Sequence, residues 1–143
     1  KDFIVDEYQI IQSRFYEADA ILLIGRILSS SELSNFLKLA RENDLDVLYE
    51  AHDEEDLIKG IEAGVKIFGI NNRDLSNFNV SNDNIMNLYK KIPNDAILIS
   101  ESGITCPEDV ATLKKVGISN FLVGESIMKS DNRVTFIQEL IKA

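Results

Sequence analysis

Apolar residues along this chain gather in short unbroken runs separated by longer stretches of mixed polarity. Ala20-Ile21-Leu22-Leu23-Ile24, Val47-Leu48-Tyr49, Ile67-Phe68, Ala96-Ile97-Leu98-Ile99 and Phe121-Leu122-Val123 read as strands buried on both faces. Lys1 to Val5 is β-prone and reads as the tail of a further strand. Between the runs the apolar spacing changes to that of helices. Asp6 can cap a helix over residues 7–17 with Tyr8, Ile11, Phe15 and Ala18 on one stripe. Ser29 and Glu32 have capping-box spacing before Leu33, Phe36, Leu37 and Ala40. Asp53 opens a helix with Glu54, Glu55 and Asp56 in its first turn, favourable at the positive end of the helix dipole, and Gly64 closes it. Ser81 caps a stretch bearing Ile85, Leu88 and Tyr89 that ends near Pro93. Thr105 and Glu108 repeat the capping-box spacing, with Pro107 in the first turn and Gly117 at the end. Residues 132–142 form a closing helix.

Strict alternation of strand and helix with short connections implies a parallel sheet with right-handed crossovers. Nothing marks a linker or a domain boundary, so residues 1–143 read as one domain. The alternation alone is compatible with an open doubly wound sheet or a (β/α) barrel. No Gly-x-Gly-x-x-Gly turn follows any strand, which weakens a dinucleotide-binding sheet. Polar residues instead follow several successive strands, as at the C-terminal mouth of a barrel. A complete eight-unit barrel takes about 250 residues. Some six units in 143 residues therefore predict an incomplete TIM (β/α)8 barrel, the C-terminal portion of one. The chain also lacks an initiator Met and starts inside a strand-like run, the expectation for a piece of a longer protein.

Charge and rarer residues narrow the function classes. The net charge of −9 argues against nucleic acid or an anionic membrane as a partner, though a local pocket can still hold a small anion. No apolar run approaches the roughly 20 residues of a membrane helix. The single cysteine, Cys106, forms no internal disulfide and fits a reducing, cytoplasmic setting. One His and one Cys cannot assemble a usual zinc site. His52, beside Asp53, reads as a solvated turn or cap residue.

The chemistry-bearing residues sit at strand ends. Glu50 closes an otherwise apolar strand, where partial desolvation would raise its pKa and suit it to proton transfer. Gly69-Ile70-Asn71-Asn72-Arg73-Asp74-Leu75 places two amides, a guanidinium and a carboxylate just past another strand. Glu101, Ser102 and Gly103 follow the next, and Gly124, Glu125 and Ser126 the last. Glycines in those two final loops let backbone N–H groups approach a phosphate, as barrels often do there.

These stretches, together with Lys1-Asp2-Phe3-Ile4-Val5-Asp6 and Ser100-Glu101-Ser102-Gly103-Ile104, resemble the indole-3-glycerol phosphate synthase family. The resemblance implies a (β/α)8 barrel that closes the indole ring of a carboxyphenylamino-deoxyribulose phosphate. Carbon dioxide and water are lost, no cofactor is used, and the partner is a small sugar phosphate. It makes Lys1 the general acid at the substrate carbonyl and Glu50 the acid/base group of the dehydration. Asn71 and Ser102 would orient the ring-closing groups with Glu101 beside them, and Arg73 would order the site. Gly103, Gly124 and Glu125 would offer backbone N–H groups to the phosphate, and Phe3, Leu22 and Leu75 would wall the anthranilate ring. The family's earlier strands, with a further glutamate and a lysine-bearing mobile loop, have no counterpart in these 143 residues. Weak or absent turnover by the chain alone is therefore expected, with self-association through open barrel edges. A non-catalytic phosphate-binding half-barrel is the alternative. The isomerase acting on phosphoribosylanthranilate is another, against which Asn71 to Leu75 argues.

Overall fold

The computed structural model describes residues 3–73 and 83–143, without the side chain of Asp83. In chain order the elements are α1 (Glu7–Phe15), β1 (Ala20–Ile24), α2 (Ser30–Glu42), β2 (Asp46–Ala51), α3 (Glu54–Glu62), β3 (Ile67–Asn71), α4 (Asp83–Leu88), β4 (Ile97–Glu101), α5 (Pro107–Lys115), β5 (Phe121–Leu122), α6 (Glu125–Lys129) and α7 (Arg133–Lys142). The strands form one parallel sheet in the order β1-β2-β3-β4-β5. Each strand pairs with its successor and the order never reverses. A doubly wound sheet needs such a reversal, so the chain is an arc of singly wound barrel.

Residues 3–5 belong to no strand, so the six strands read from the sequence become five among the described residues. Lys1 lies outside the described residues, as do Leu75 and Ser81. The predicted stripe on α1 is also corrected. Tyr8, Ile11 and Phe15 are exposed, and Ile10 is the residue that enters the core. Tyr8, Ile11 and Phe15 keep a regular helical spacing on a side of α1 that no described element covers. The capping boxes Asp6–Gln9 and Ser29–Glu32 form. That of α5 shifts by one residue, because Cys106 is the N-cap and the Asp109 carboxylate accepts from the N–H groups of Thr105 and Cys106.

Side chains alternate along each strand. One set, Ile21, Leu23, Tyr49, Phe68 and Ile70, is buried beneath the helices with Leu33, Phe36, Leu57, Ile85, Val110 and Leu113. The other set, including Glu50, Gly69, Asn71 and Glu101, turns to the concave side. Ladder pairing puts these in register, with Ile24 beside Glu50, Glu50 beside Gly69, and Asn71 beside Glu101.

Tyr49 and Phe68 set the helix-to-sheet spacing. Their rings meet edge to face at 6.0 Å, and the Tyr49 hydroxyl donates to the carbonyl of Asp56 at 2.8 Å. The backbone of α3 rests on this pair at Gly60, where an added Cβ would lie 2.6 Å from Tyr49 and 2.8 Å from Phe68. Alanine gains up to about 1 kcal/mol of helix propensity over glycine, while overpacking a close contact costs about 1–3 kcal/mol. Gly60→Ala is expected to lower the unfolding free energy by about 1–2 kcal/mol net in urea titration, a destabilisation where propensity alone predicts a gain.

Candidate active site

The concave polar cluster is built by three adjacent strand tips. Asn71, last in β3, donates from Nδ2 to Oε1 of Glu50 on β2 at 2.9 Å. The same Asn71 accepts the backbone N–H of Arg73 at 2.9 Å, so one amide links the carboxylate to the following turn. Glu101, last in β4, lies over β3. A Cβ on Gly69 would fall 1.7 Å from Glu101 Oε1, so glycine is the residue that lets this carboxyl cross to Glu50. Oε1 of Glu101 is buried without a hydrogen-bond partner.

The two carboxyls answer this enclosure differently. Burial drives the Glu101 carboxyl up, and the charge of Glu50 and a hydrogen bond with it push further, to about 8. Burial acts on Glu50 as well, but the His52 imidazole, the Asn71 amide and Glu101 outweigh it and hold Glu50 below the usual carboxylate range, the opposite of the rise expected from desolvation alone. Two acids within reach of each other in a poorly hydrated site share one charge more cheaply than two. At neutral pH the pair is thus an ionised Glu50 facing a neutral Glu101, one proton acceptor beside one donor.

His52 contradicts its reading as a solvated residue. Its side chain is 3% exposed and Nε2 stands 3.0 Å from Glu50 Oε1. Neither ring nitrogen meets hydrogen-bond geometry, so the ring and the carboxylate are in close contact without a formal hydrogen bond. Asn84 is a residue that sequence reasoning passed over, and Asn72 one that it named in the Gly69–Leu75 stretch without giving it a role. Asn72 is buried and donates to Ser100 Oγ at 3.1 Å and to the Ser102 carbonyl at 3.3 Å, while accepting the N–H of Ile85 at 3.1 Å. Asn84 donates to the carbonyls of His52 at 3.0 Å and Asn71 at 2.8 Å. Neighbouring amides divide the work, with Asn71 facing the cluster and Asn72 tying the strand tips together. A glycine inside β3 was a readable sign of close approach; Asn84, on a helix, carried none.

Beyond the cluster, a cleft of about 720 Å³ opens between the β4 and β5 loops, lined by Arg73, Gly103, Thr105, Glu125, Ser126, Lys129 and Phe136 among others. Arg73 pairs there with the carboxylate of Glu125, which also accepts from Lys129 at 2.6 Å. Ser102 and Gly103 turn from β4 into this cleft with φ of 60° and 81°, and a serine in that left-handed region stores local strain. Ser102 offers its carbonyl to Asn72, and no described contact joins its hydroxyl to Glu50. The remaining expected residues are more dispersed. Gly124 precedes α6, Leu22 lines a different cleft beside β1 with Ile4, Gln9 and Tyr16, and Phe3 is 62% exposed, its carbonyl accepting from Gln9. Among the described residues no group of three or more His, Cys, Asp or Glu side chains could hold a metal ion, and no helix is long and apolar enough to cross a membrane.

Comparison with known proteins gives the fold and the family. Similar solved structures include 3-hexulose-6-phosphate synthase from Salmonella typhimurium, with a TM-score of 0.75 at 14% identity over 95% of this chain and 66% of that one. Thiamine phosphate pyrophosphorylase from Pyrococcus furiosus gives 0.73 at 13% identity, over 93% of this chain and 62% of that one. At such identities the likeness concerns the fold, that of TIM-barrel proteins. Two curated relatives carry the name indole-3-glycerol phosphate synthase. The one from Lachnoclostridium phytofermentans is 42% identical over 140 residues, covering 98% of this chain and 52% of the relative. That from Caldanaerobacter subterraneus subsp. tengcongensis is 50% identical over 131 residues, covering 92% and 51%. The chain thus spans about half the length of the curated relatives it matches. The family model for indole-3-glycerol phosphate synthase matches residues 1–140, and the chain belongs to that family.

Proposed function

We propose that this chain carries the acid–base and ring-orienting part of an indole-3-glycerol phosphate synthase active site. The observation that carries the reading is the buried Glu50–Asn71–Glu101 cluster at three strand tips, with one carboxyl lowered and the other raised. The reaction takes 1-(2-carboxyphenylamino)-1-deoxyribulose 5-phosphate to indole-3-glycerol phosphate, carbon dioxide and water. A new carbon–carbon bond forms between the ring carbon bearing the carboxylate and the ketone carbon. The carboxylate leaves as carbon dioxide, and the former ketone oxygen leaves as water.

In this reading Lys1 protonates the ketone oxygen as the ring closes. Glu50, held ionised by its neighbours, manages the proton traffic of the dehydration. Asn71 keeps the Glu50 carboxylate aimed, and neutral Glu101 is a hydrogen-bond donor to it. Ser102 sits at the same rim. The substrate phosphate takes the adjoining cleft, where Arg73 and the backbone of Gly103 and Gly124 meet it, and the Arg73–Glu125 pair opens to admit it. Binding energy from the phosphate then fixes the reacting atoms. Phe3, Leu22 and Leu75 supply apolar contacts to the aromatic ring. The setting is the cytoplasm, and no cofactor takes part.

A second reading, a non-catalytic half-barrel that associates with itself, is favoured by the exposed Ile97 and Leu122 on the concave side. Turnover separates the two. Glu50→Gln, in the protein as its gene encodes it, should reduce kcat by about 10²–10⁴-fold by fluorescence assay of indole-glycerol phosphate. Unchanged turnover removes Glu50 from the chemistry. Absence of any turnover in the parent, with a dimer in sedimentation, favours the second reading.

Ionisation also ties the site to stability. A carboxyl raised in the folded chain makes that state hold a proton that the unfolded chain releases. The stability tied to Glu101 is therefore whole below the ordinary carboxylate pKa and is lost as pH rises through about 8. Glu50, being lowered, acts in the opposite sense and only in acid, where its contribution disappears as pH falls through its folded value. Glu101→Gln should flatten the decline in urea midpoint between about pH 5 and 8.5 and leave the variant the more stable protein at the alkaline end. An identical pH slope in variant and parent would contradict the raised carboxyl.

A further inference from the structure

We propose that His52 is a positioning residue that clamps the Glu50 carboxylate in the barrel mouth from behind, with Asp56 as its anchor. The proposal rests on the reading of Glu50 as the acid/base group. It starts from placement. His52 directly follows β2, and its ring is enclosed between two carboxylates, with Nε2 3.0 Å from Glu50 Oε1 and Nδ1 3.9 Å from Asp56 Oδ2. Both nitrogens are buried without a hydrogen-bond partner in ideal geometry, an arrangement a filler residue would not need. Its backbone is held on both sides. The His52 N–H donates to Asp56 Oδ2 at 3.2 Å, and its carbonyl accepts from Asn84 at 3.0 Å.

The anchor is itself fixed. Asp56 Oδ1 stands 3.5 Å from Lys59, whose ammonium donates to the carbonyls of Gly25 at 2.7 Å and Leu28 at 3.0 Å. A line of alternating partners thus runs from the loop after β1, through Lys59, Asp56 and His52, to Glu50. The groups facing the ring are Glu50 on its own strand side and Asp56 from α3, with Lys59 behind Asp56 and Glu101 beyond Glu50. From α4 the Asn84 amide reaches only the His52 backbone. Asn71 and His52 converge on the same oxygen of Glu50, Oε1. Two contacts from different directions on one oxygen fix both the position and the rotation of a carboxylate.

The test pairs His52→Gln, which keeps a side-chain N–H donor but removes the ring, with Asp56→Asn, which loosens the anchor. Carboxyl titration of ¹³C-glutamate-labelled protein by NMR reads Glu50 without requiring turnover. His52→Gln should move the Glu50 titration upward, because one of the groups that hold this carboxylate low is removed, and Asp56→Asn in the same direction by less. In the protein as its gene encodes it, the acid limb of the kcat–pH profile should move upward with the Glu50 titration, kcat should fall about tenfold, and KM should stay within about twofold. A merely structural histidine would lower the melting temperature and leave both the titration and the acid limb in place, which overturns the clamp. If His52→Gln does not fold, Asp56→Asn decides by the same two readouts. Should Glu50 titrate differently in the variants while Glu50→Gln leaves turnover intact, the clamp stands and the functional reading of Glu50 fails.

Discussion

Two carboxyl groups brought face to face at the tips of β2 and β4 set the terms for the rest of this site. Glu50 and Glu101 are both at least nine-tenths buried, and both approach the strand between them. A pair of like charges in so poorly hydrated a place is unfavourable, so one proton stays and the charges separate into an acceptor and a donor. Each neighbouring feature follows from that constraint. Gly69 must lack a side chain so that Glu101 can cross β3. Asn71 and His52 must crowd one oxygen of Glu50 so that the charge settles there rather than on Glu101.

The scaffold explains why such a pair is tolerated. The outward residues of the same strands, Tyr49, Phe68 and Ile70, bury a continuous apolar layer under the helices. Asn72 then satisfies the groups at the strand tips through three hydrogen bonds to β4, its turn and α4. The strain of Ser102 in the left-handed region sits on that braced tip. Beside it, Arg73 connects the carboxyl pair to the cleft, its N–H held by Asn71 and its guanidinium held by Glu125.

Much of this layout was readable in the amino-acid order, for identifiable reasons. Strand runs such as Ala20–Ile24 and caps such as Ser29–Glu32 are local signals, and both form as expected. The polar tips Glu50, Asn71 and Glu101 stood out because carboxylates and amides at the ends of apolar strands have no packing role there. His52 was misread because a lone histidine beside Asp53 looks like a cap; its ring is enclosed between Glu50 and Asp56, and Asn84, which holds its carbonyl, comes from another part of the chain. The α1 stripe was misread for the opposite reason. Periodicity reports that a helix has an apolar side but not whether anything lies against it, and Tyr8 and Phe15 remain exposed. The α5 cap slipped by one residue because Asp109 competes with Glu108 for the same backbone donors, and the pattern alone does not choose between them.

The ionisation of the carboxyl pair is open to direct observation by difference infrared spectroscopy, which separates protonated from ionised carboxyl groups. One buried carboxyl should remain protonated at pH 6.5 (about two units above the ordinary glutamate range), lose its proton as pH passes through about 8, and vanish from the spectrum of Glu101→Gln. A spectrum in which every carboxyl is already ionised at pH 6.5 would mean that Glu50 and Glu101 do not share the enclosed site described above.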